Sequence, residues 1–297
     1  RSLSLDSALV TVRFEQEGAE MTKGRKVESI ILRVLIFAAA AATFAVLLFL
    51  LAYILINGLP NIKPSLFSLE YNTENASLMP ALVNTVIMTA LSLVIAIPFG
   101  IFSAIFLVEY AKKGNKFVGI IRITAETLSG IPSIVYGLFG MLFFVSALKW
   151  GYSILAGAFT MSIMILPLIM RTTEEALKSV PDTYREGSFG LGAGKLRTIF
   201  RIVLPAAVPG IMAGVILAIG RIMGETAALM YTAGTVPKMA SSPMDSGRTL
   251  AVHMYNLSSE GLYMDQAYAT AVILLIVVVG MNTLSAVAAR KLTKGTR

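Results

Sequence analysis

The sequence predicts an all-α, polytopic membrane protein with six transmembrane helices, on three observations. Of its 297 residues 56% are hydrophobic and only 14% charged, whereas soluble domains carry near a quarter charged. Uncharged runs recur at 34–62, 75–108, 127–148, 150–170 and 266–289, and a sixth, about 207–232, is interrupted only by Arg221 and Glu225. Each is long enough for the roughly 20 residues with which a helix crosses about 30 Å of hydrocarbon. Finally, Lys and Arg alternate between the two sides that six spans define, 18 on one and 4 on the other. Cytoplasmic loops are enriched in these residues, so both termini are predicted to be cytoplasmic, and an error of one in the span count would scramble the alternation.

The elements follow in order. Residues 1–29 form a cytoplasmic tail, with 1–20 polar, aperiodic and read as an unstructured extension. A six-span transmembrane domain occupies 30–289 and a second cytoplasmic tail 290–297. The first span, 30–56, is too long for a secretory signal and lacks a small-residue cleavage site. An external loop with Gly58, Pro60 and Pro64 leads to the second span, 81–108, where Pro98-Phe99-Gly100 predicts a bend. The third span contains another breaker, Ser129-Gly130-Ile131-Pro132-Ser133, of a kind tolerated where backbone faces protein or a water-lined cavity. Trp150 marks the outer interface and 151–170 returns as the fourth span. After the fifth span, 237–265 is external and 267–289 is the last span. Asn84, Thr85 and Asn282 are polar residues within spans, predicted to bond between helices.

Between the fourth and fifth spans, 172–206 is far longer than a connection requires. Val180-Pro181 starts a helix with proline in the first turn, Asp182 and Glu186 place negative charge near its amino end, and Gly190, Gly192 and Gly194 stop it. Leu196, Ile199, Phe200 and Val203 then fall on one face of a second short helix, with Lys195, Arg197, Thr198 and Arg201 opposite. Such a hairpin either rests on the membrane surface or docks on a partner and transmits its displacement. The stretch Gly190-Leu-Gly192-Ala-Gly194-Lys195 is not a phosphate-binding loop: Phe189 stands where the first glycine should be, Leu196 where Ser or Thr should be, and no strand precedes it.

Other chemistry is scarce. There is no cysteine, hence no disulfide or thiol nucleophile, and the single histidine, His253, makes no metal site by itself and reads as a solvent-facing or packing residue. No catalytic or metal-ligating residue is predicted. The charged residues inside the fifth span stand out. Arg221 lies 14 residues beyond Ala207, near the bilayer midplane, where an unpaired arginine costs about 2.5 to 3.5 kcal/mol. On a continuous helix Glu225 would sit one turn further on the same face, as its ion-pair partner. The pair either makes Arg221 insertable or lines a route for an oxyanion, which a guanidinium grips through two parallel hydrogen bonds. Gly224 beside them would let a helix or ligand approach.

The spacing Glu186-Gly187-Ser188, three residues, Gly192, nine residues, Ile202-Val203-Leu204-Pro205 resembles the EAA loop of ABC importer permeases. With FLVEYAKK at 106–113, IMRTTEEALKSVP at 169–181 and RIMGETAAL at 221–229, the chain from Met21 onward resembles phosphate permeases of the PstA family. Gly187-Ser188 replaces two alanines, which weakens the coupling helix, since glycine costs about 1 kcal/mol in a helix. The resemblance implies the type I importer architecture and a permease subunit of an ATP-driven phosphate importer in the bacterial cytoplasmic membrane. It implies that Arg185, Glu186, Gly187, Ser188 and Gly192 couple to an ATPase, and that Arg221, Gly224 and Glu225 line the substrate pathway. The partners implied are a PstC-type permease, an ATPase dimer that alone holds ATP and magnesium, and an external phosphate-binding protein. The alternatives are an ABC permease for sulfate or molybdate, an ion-coupled secondary transporter, for which intramembrane carboxylates are few, and a non-transporting scaffold.

Overall fold

A computed structural model describes residues 23–112 and 114–294, and no strand occurs among them. The extension at 1–20, Lys113 in the basic run and the end of the tail at 295–297 lie outside the described residues. Five helices are long and apolar enough to cross a membrane, and a bent pair brings the number to the predicted six if it is counted as one broken span. Helix α1, Lys23–Gly58, is a unit of its own as far as Leu55, and the chain from Ile56 onward forms a second compact unit.

In the second unit α2 spans Met79–Tyr110 and runs unbroken through Pro98, its last turn widening to π geometry at Phe106–Tyr110. The third predicted span departs from a single helix. Helix α3, Lys116–Ser129, and α4, Ser133–Ala147, meet at 101°, because Pro132 (ψ 141°) leaves the helical region and carries no amide hydrogen to bridge the break. Helix α3 begins at Asn115, whose side chain accepts a bond from the amide of Phe117, so much of the predicted basic loop is helical.

Helix α5, Ile154–Lys178, extends two turns past the predicted fourth span and contains Pro167. After Pro181, α6 covers Asp182–Gly190 as predicted, and Gly192 turns the chain at φ +80°, a conformation that favours glycine. The second short helix of the loop is not separate: α7 runs through Lys195–Gly224. A π turn at Ile199–Val203 widens its spacing, so Ile199, Val203, Ala207 and Ile211, four apart, are buried while Leu196 and Phe200 are exposed. A short α8, Ala227–Met230, follows, then α9, Leu250–Glu260, and α10, Met264–Lys294.

Helix α5 is the hub, packed against α2 on one side and α7 on the other, with α10 against α7. Small residues let the backbones approach, since apolar lipid supplies no hydrophobic drive between helices. A Cβ at Gly100 of α2 would meet Ile169 at 2.7 Å, and one at Gly210 of α7 would meet Ala176 at 2.6 Å; Gly214 is pressed still more closely against Thr172. Asn84 is spent on a loop, whereas Thr85 bonds the first residue of α9, between helices as predicted. Asn84 donates to the carbonyls of Lys238 and Arg248 and accepts from the amide of Ala240, and Thr85 accepts from the amide of Leu250. Asn282 Oδ1 is buried without a partner among the described residues.

The seam between α5 and α7 is testable with two glycines of one helix. Nothing lies within 4 Å of a Cβ placed on Gly220. Gly214→Ala is expected to lose about 1 to 3 kcal/mol to overpacking and Gly220→Ala to lose nothing, read as melting temperature in detergent; equal effects would mean that the seam is not tight.

Candidate functional site

Helices α3, α5 and α7 enclose a cavity of about 600 Å³ lined by Arg122, Glu126, Arg171, Glu174, Glu175, Lys178 and Arg221 together with Ser129, Met164 and Pro167. Three of its four cations share two carboxylates in ion pairs, and the third carboxylate, Glu126, lines the cavity without one among the described residues. Arg122 and Lys178 both reach Glu174, at 2.7 and 2.6 Å, and Arg171 reaches Glu175 at 3.2 Å. Glu174 is buried, and its two cationic partners offset the cost of taking its carboxylate out of water. Arg221, half-buried near the carboxyl end of α7, has no hydrogen bond or ion pair among the described residues.

The predicted pairing of Arg221 with Glu225 is not formed. Helix α7 ends at Gly224, and Glu225 takes an extended backbone (ψ 131°), which carries its side chain off the helix face. Its Oε1 accepts from the amides of Thr226 and Ala228, both at 3.2 Å, and so caps the start of α8. Gly224 admits no close neighbour within this chain, since nothing lies within 4 Å of a Cβ placed there. The close approach occurs at Gly137 of α4 instead, where a Cβ would meet the Cα of Ala228 at 2.8 Å. The chemistry left at the cavity is that of a guanidinium without an ion pair, in a lining with one more cation than carboxylates, and it can take two oxygens of one anion side by side.

The second functional surface is α6. Of the residues predicted to couple, Glu186, Gly187 and Gly192 are exposed, whereas Arg185 and Ser188 turn inward. Ser188 and Thr198 share a hydrogen bond at 2.8 Å that closes the hairpin. Arg185 Nε and Nη2 both donate to Glu109 Oε1, at 3.1 and 2.7 Å, and the same guanidinium donates to the carbonyls of Leu177 and Val180 and to Asp182. It thereby fastens α6 to the end of α2 and to the end of α5. A patch of Tyr184, Phe189, Leu191 and Leu196 stands exposed around the hairpin, Leu191 at 91%.

Residues 96–297 match the family of binding-protein-dependent transport system inner membrane components. The chain belongs to that family. It is similar to the probable ABC transporter permease protein YqgI of Bacillus subtilis, at 38% identity over 246 residues, 76% of this chain and 82% of that one. It is also similar to the phosphate transport system permease protein PstA of Pasteurella multocida, at 35% over 212 residues, 70% and 75% of the two chains. The permease shares its fold with a chain of a bacterial alginate ABC transporter solved in complex with a pentasaccharide-bound periplasmic protein, with TM-score 0.66, 16% identity and coverage of 93% and 99%. It is thus a membrane-embedded ABC permease of the PstA type, a transport subunit rather than an enzyme.

Sequence reasoning missed Glu109 as the counter-ion of Arg185, because 76 residues separate them. It also missed Pro167 in the cavity wall and the helix end at Gly224, although a glycine before a polar pair is a stop signal. The inward pair is open to a double-mutant cycle. Arg185→Leu alone strands a nearly buried carboxylate and is expected to cost about 3 kcal/mol, and Glu109→Leu a comparable amount. The double variant should melt above the Arg185→Leu protein in detergent; losses that simply add would show that the two side chains act independently.

Proposed function

We propose that this permease forms half of the translocation pathway of an ATP-driven importer of inorganic phosphate in the bacterial cytoplasmic membrane, with both termini and α6 on the cytoplasmic side. The observation that carries the reading is the guanidinium of Arg221, held without an ion pair at a cavity whose four cations outnumber its three carboxylates. A bare cation in a membrane span is costly unless it faces water or an anion. PstA relatives in several bacteria are phosphate transport system permeases by name, which supplies the anion. The lysine and arginine bias supports the orientation.

In this reading α6 seats its exposed surface, Tyr184, Glu186, Gly187, Phe189 and Leu191, in a groove of an ATPase subunit. A PstC-type permease supplies the other half of the pathway, two ATPase copies bind ATP with magnesium, and an external binding protein delivers phosphate. ATP closes the ATPase dimer, α6 follows, and the spans exchange between outward-open and inward-open states. Glu225 has no part beside Arg221, because its carboxylate caps α8.

The test is uptake of labelled phosphate into proteoliposomes holding the reconstituted complex. ATP-dependent uptake is expected, with at least a tenfold loss in Arg221→Ala while the complex still assembles. Undiminished uptake in that variant would return Arg221 to a structural role, and equal uptake of sulfate would remove phosphate as the substrate.

A further inference from the structure

A second cation of the permease is buried without an ion pair among the described residues. Arg248 lies in the loop before α9, at the opposite end of the molecule from α6, and is 5% exposed. Its main chain is pinned: the amide donates to the carbonyl of Val236 at 3.0 Å, and its carbonyl accepts from the fully buried Asn84 at 3.2 Å. The ring of Tyr71 covers the guanidinium at 4.7 Å. Neither Nε nor Nη2 has a hydrogen-bond partner among the described residues. These two nitrogens form the edge of the guanidinium whose N–H bonds run parallel, the edge that grips a carboxylate or phosphate side-on.

The neighbours are donors as well. The hydroxyl of Thr249 is buried and unpartnered, and so are both ring nitrogens of His253, which stands edge-on to the same Tyr71 ring at 6.1 Å and is fully buried. Burial, and then the charge of Arg248, push the His253 pKa down to about 3 against a smaller opposing effect of hydrogen bonding toward the Ala76 backbone, so the imidazole beside Arg248 is neutral and adds no charge of its own. No carboxylate forms an ion pair with Arg248 among the described residues, and Glu260, whose charge it feels, is exposed. A buried charge and several buried donors left empty are each expensive, and an apolar neighbourhood does not satisfy them.

We propose that Arg248, with Thr249 and His253, forms an enclosed site for a small oxyanion at the end of the permease opposite α6, separate from Arg221. The fork of Arg248 takes two oxygens, the Thr249 hydroxyl donates to a third, the neutral His253 ring walls the site, and Tyr71 holds the guanidinium in place. Asn84 and Thr85, which fix the backbone of residues 248 and 250, preorganise it. The site does not depend on the import reading, since it is defined by binding in a protein whose Arg221 is absent.

The complex is purified in phosphate-free buffer without binding protein, and inorganic phosphate is titrated while melting temperature and retained radiolabelled phosphate are read. Saturable binding and stabilisation are expected in the wild type and in Arg221→Ala. Arg248→Lys keeps the charge but loses the fork, and should bind at least tenfold more weakly while its phosphate-free melting temperature stays close to that of the wild type; Thr249→Val should weaken binding by a smaller factor. Equal binding in Arg248→Lys and Arg221→Ala, no phosphate dependence in any protein, or a response to chloride alone would overturn the assignment. Failure of uptake with this binding intact would sink the proposed function and leave the site standing.

Discussion

The architecture at the α6 end depends on one guanidinium. Arg185 makes five hydrogen bonds, to Glu109, Asp182 and the carbonyls of Leu177 and Val180. Two consecutive elements, α5 and α6, therefore meet the end of α2, 76 residues away from Arg185, at a single rigid, planar group whose donors all have acceptors. A charge pair of this kind gains little over an apolar contact of the same shape, but it tolerates neither loss of a partner nor sliding, because any shift strands an ion in a nearly dry place. Lys195, at the start of α7, adds a fourth tie by resting on the ring of Tyr110 at 4.7 Å. A push on α6 is therefore carried to α2, α5 and α7 together.

Those helices are also the ones that shape the cavity, directly or through packing. Helix α5 supplies most of its wall and α7 supplies Arg221, and the glycine contacts with Thr172 and Ala176 leave no slack between the two. Helix α3 is joined to the same assembly on both sides of the break at Pro132, by the ion pair of Arg122 with Glu174 of α5 and by the Tyr136 hydroxyl of α4, which donates to the carbonyl of Leu128. The other end of the molecule is organised differently. There the loop before α9 is stitched to α2 through Asn84 and Thr85, and the charge it carries, Arg248, is buried rather than presented to solvent.

Much of this was legible in the sequence where the cause is local. Hydropathy and the placement of Lys and Arg mark six crossings, Pro181 and Gly192 mark the ends of the coupling hairpin, and the spacing from Glu186 to Pro205 carries the family. Local rules also misled where a longer pattern overrode them. Pro98 and Pro132 read alike as breakers, yet α2 absorbs the first while the second, preceded by Gly130 and Ile131, turns the chain by 101°. Spacing of four places Arg221 beside Glu225 only on an unbroken helix, and Gly224 ends the helix between them. Pairings across long separations, Glu109 with Arg185 or Tyr71 with Arg248, leave no trace in a single sequence, and neither does the burial of His253.

The chain has no cysteine, so paired spin labels can be placed on the permease without background from it. The decisive distance is that between labels at Gly187→Cys on α6 and Lys112→Cys just beyond α2, measured by pulsed electron resonance in the reconstituted, ATP-hydrolysing complex. The account predicts one distance distribution, unchanged between the nucleotide-free and the ATP-trapped states, because Arg185 makes α6 and the end of α2 move as one body. A shift of several ångström on trapping ATP would contradict it.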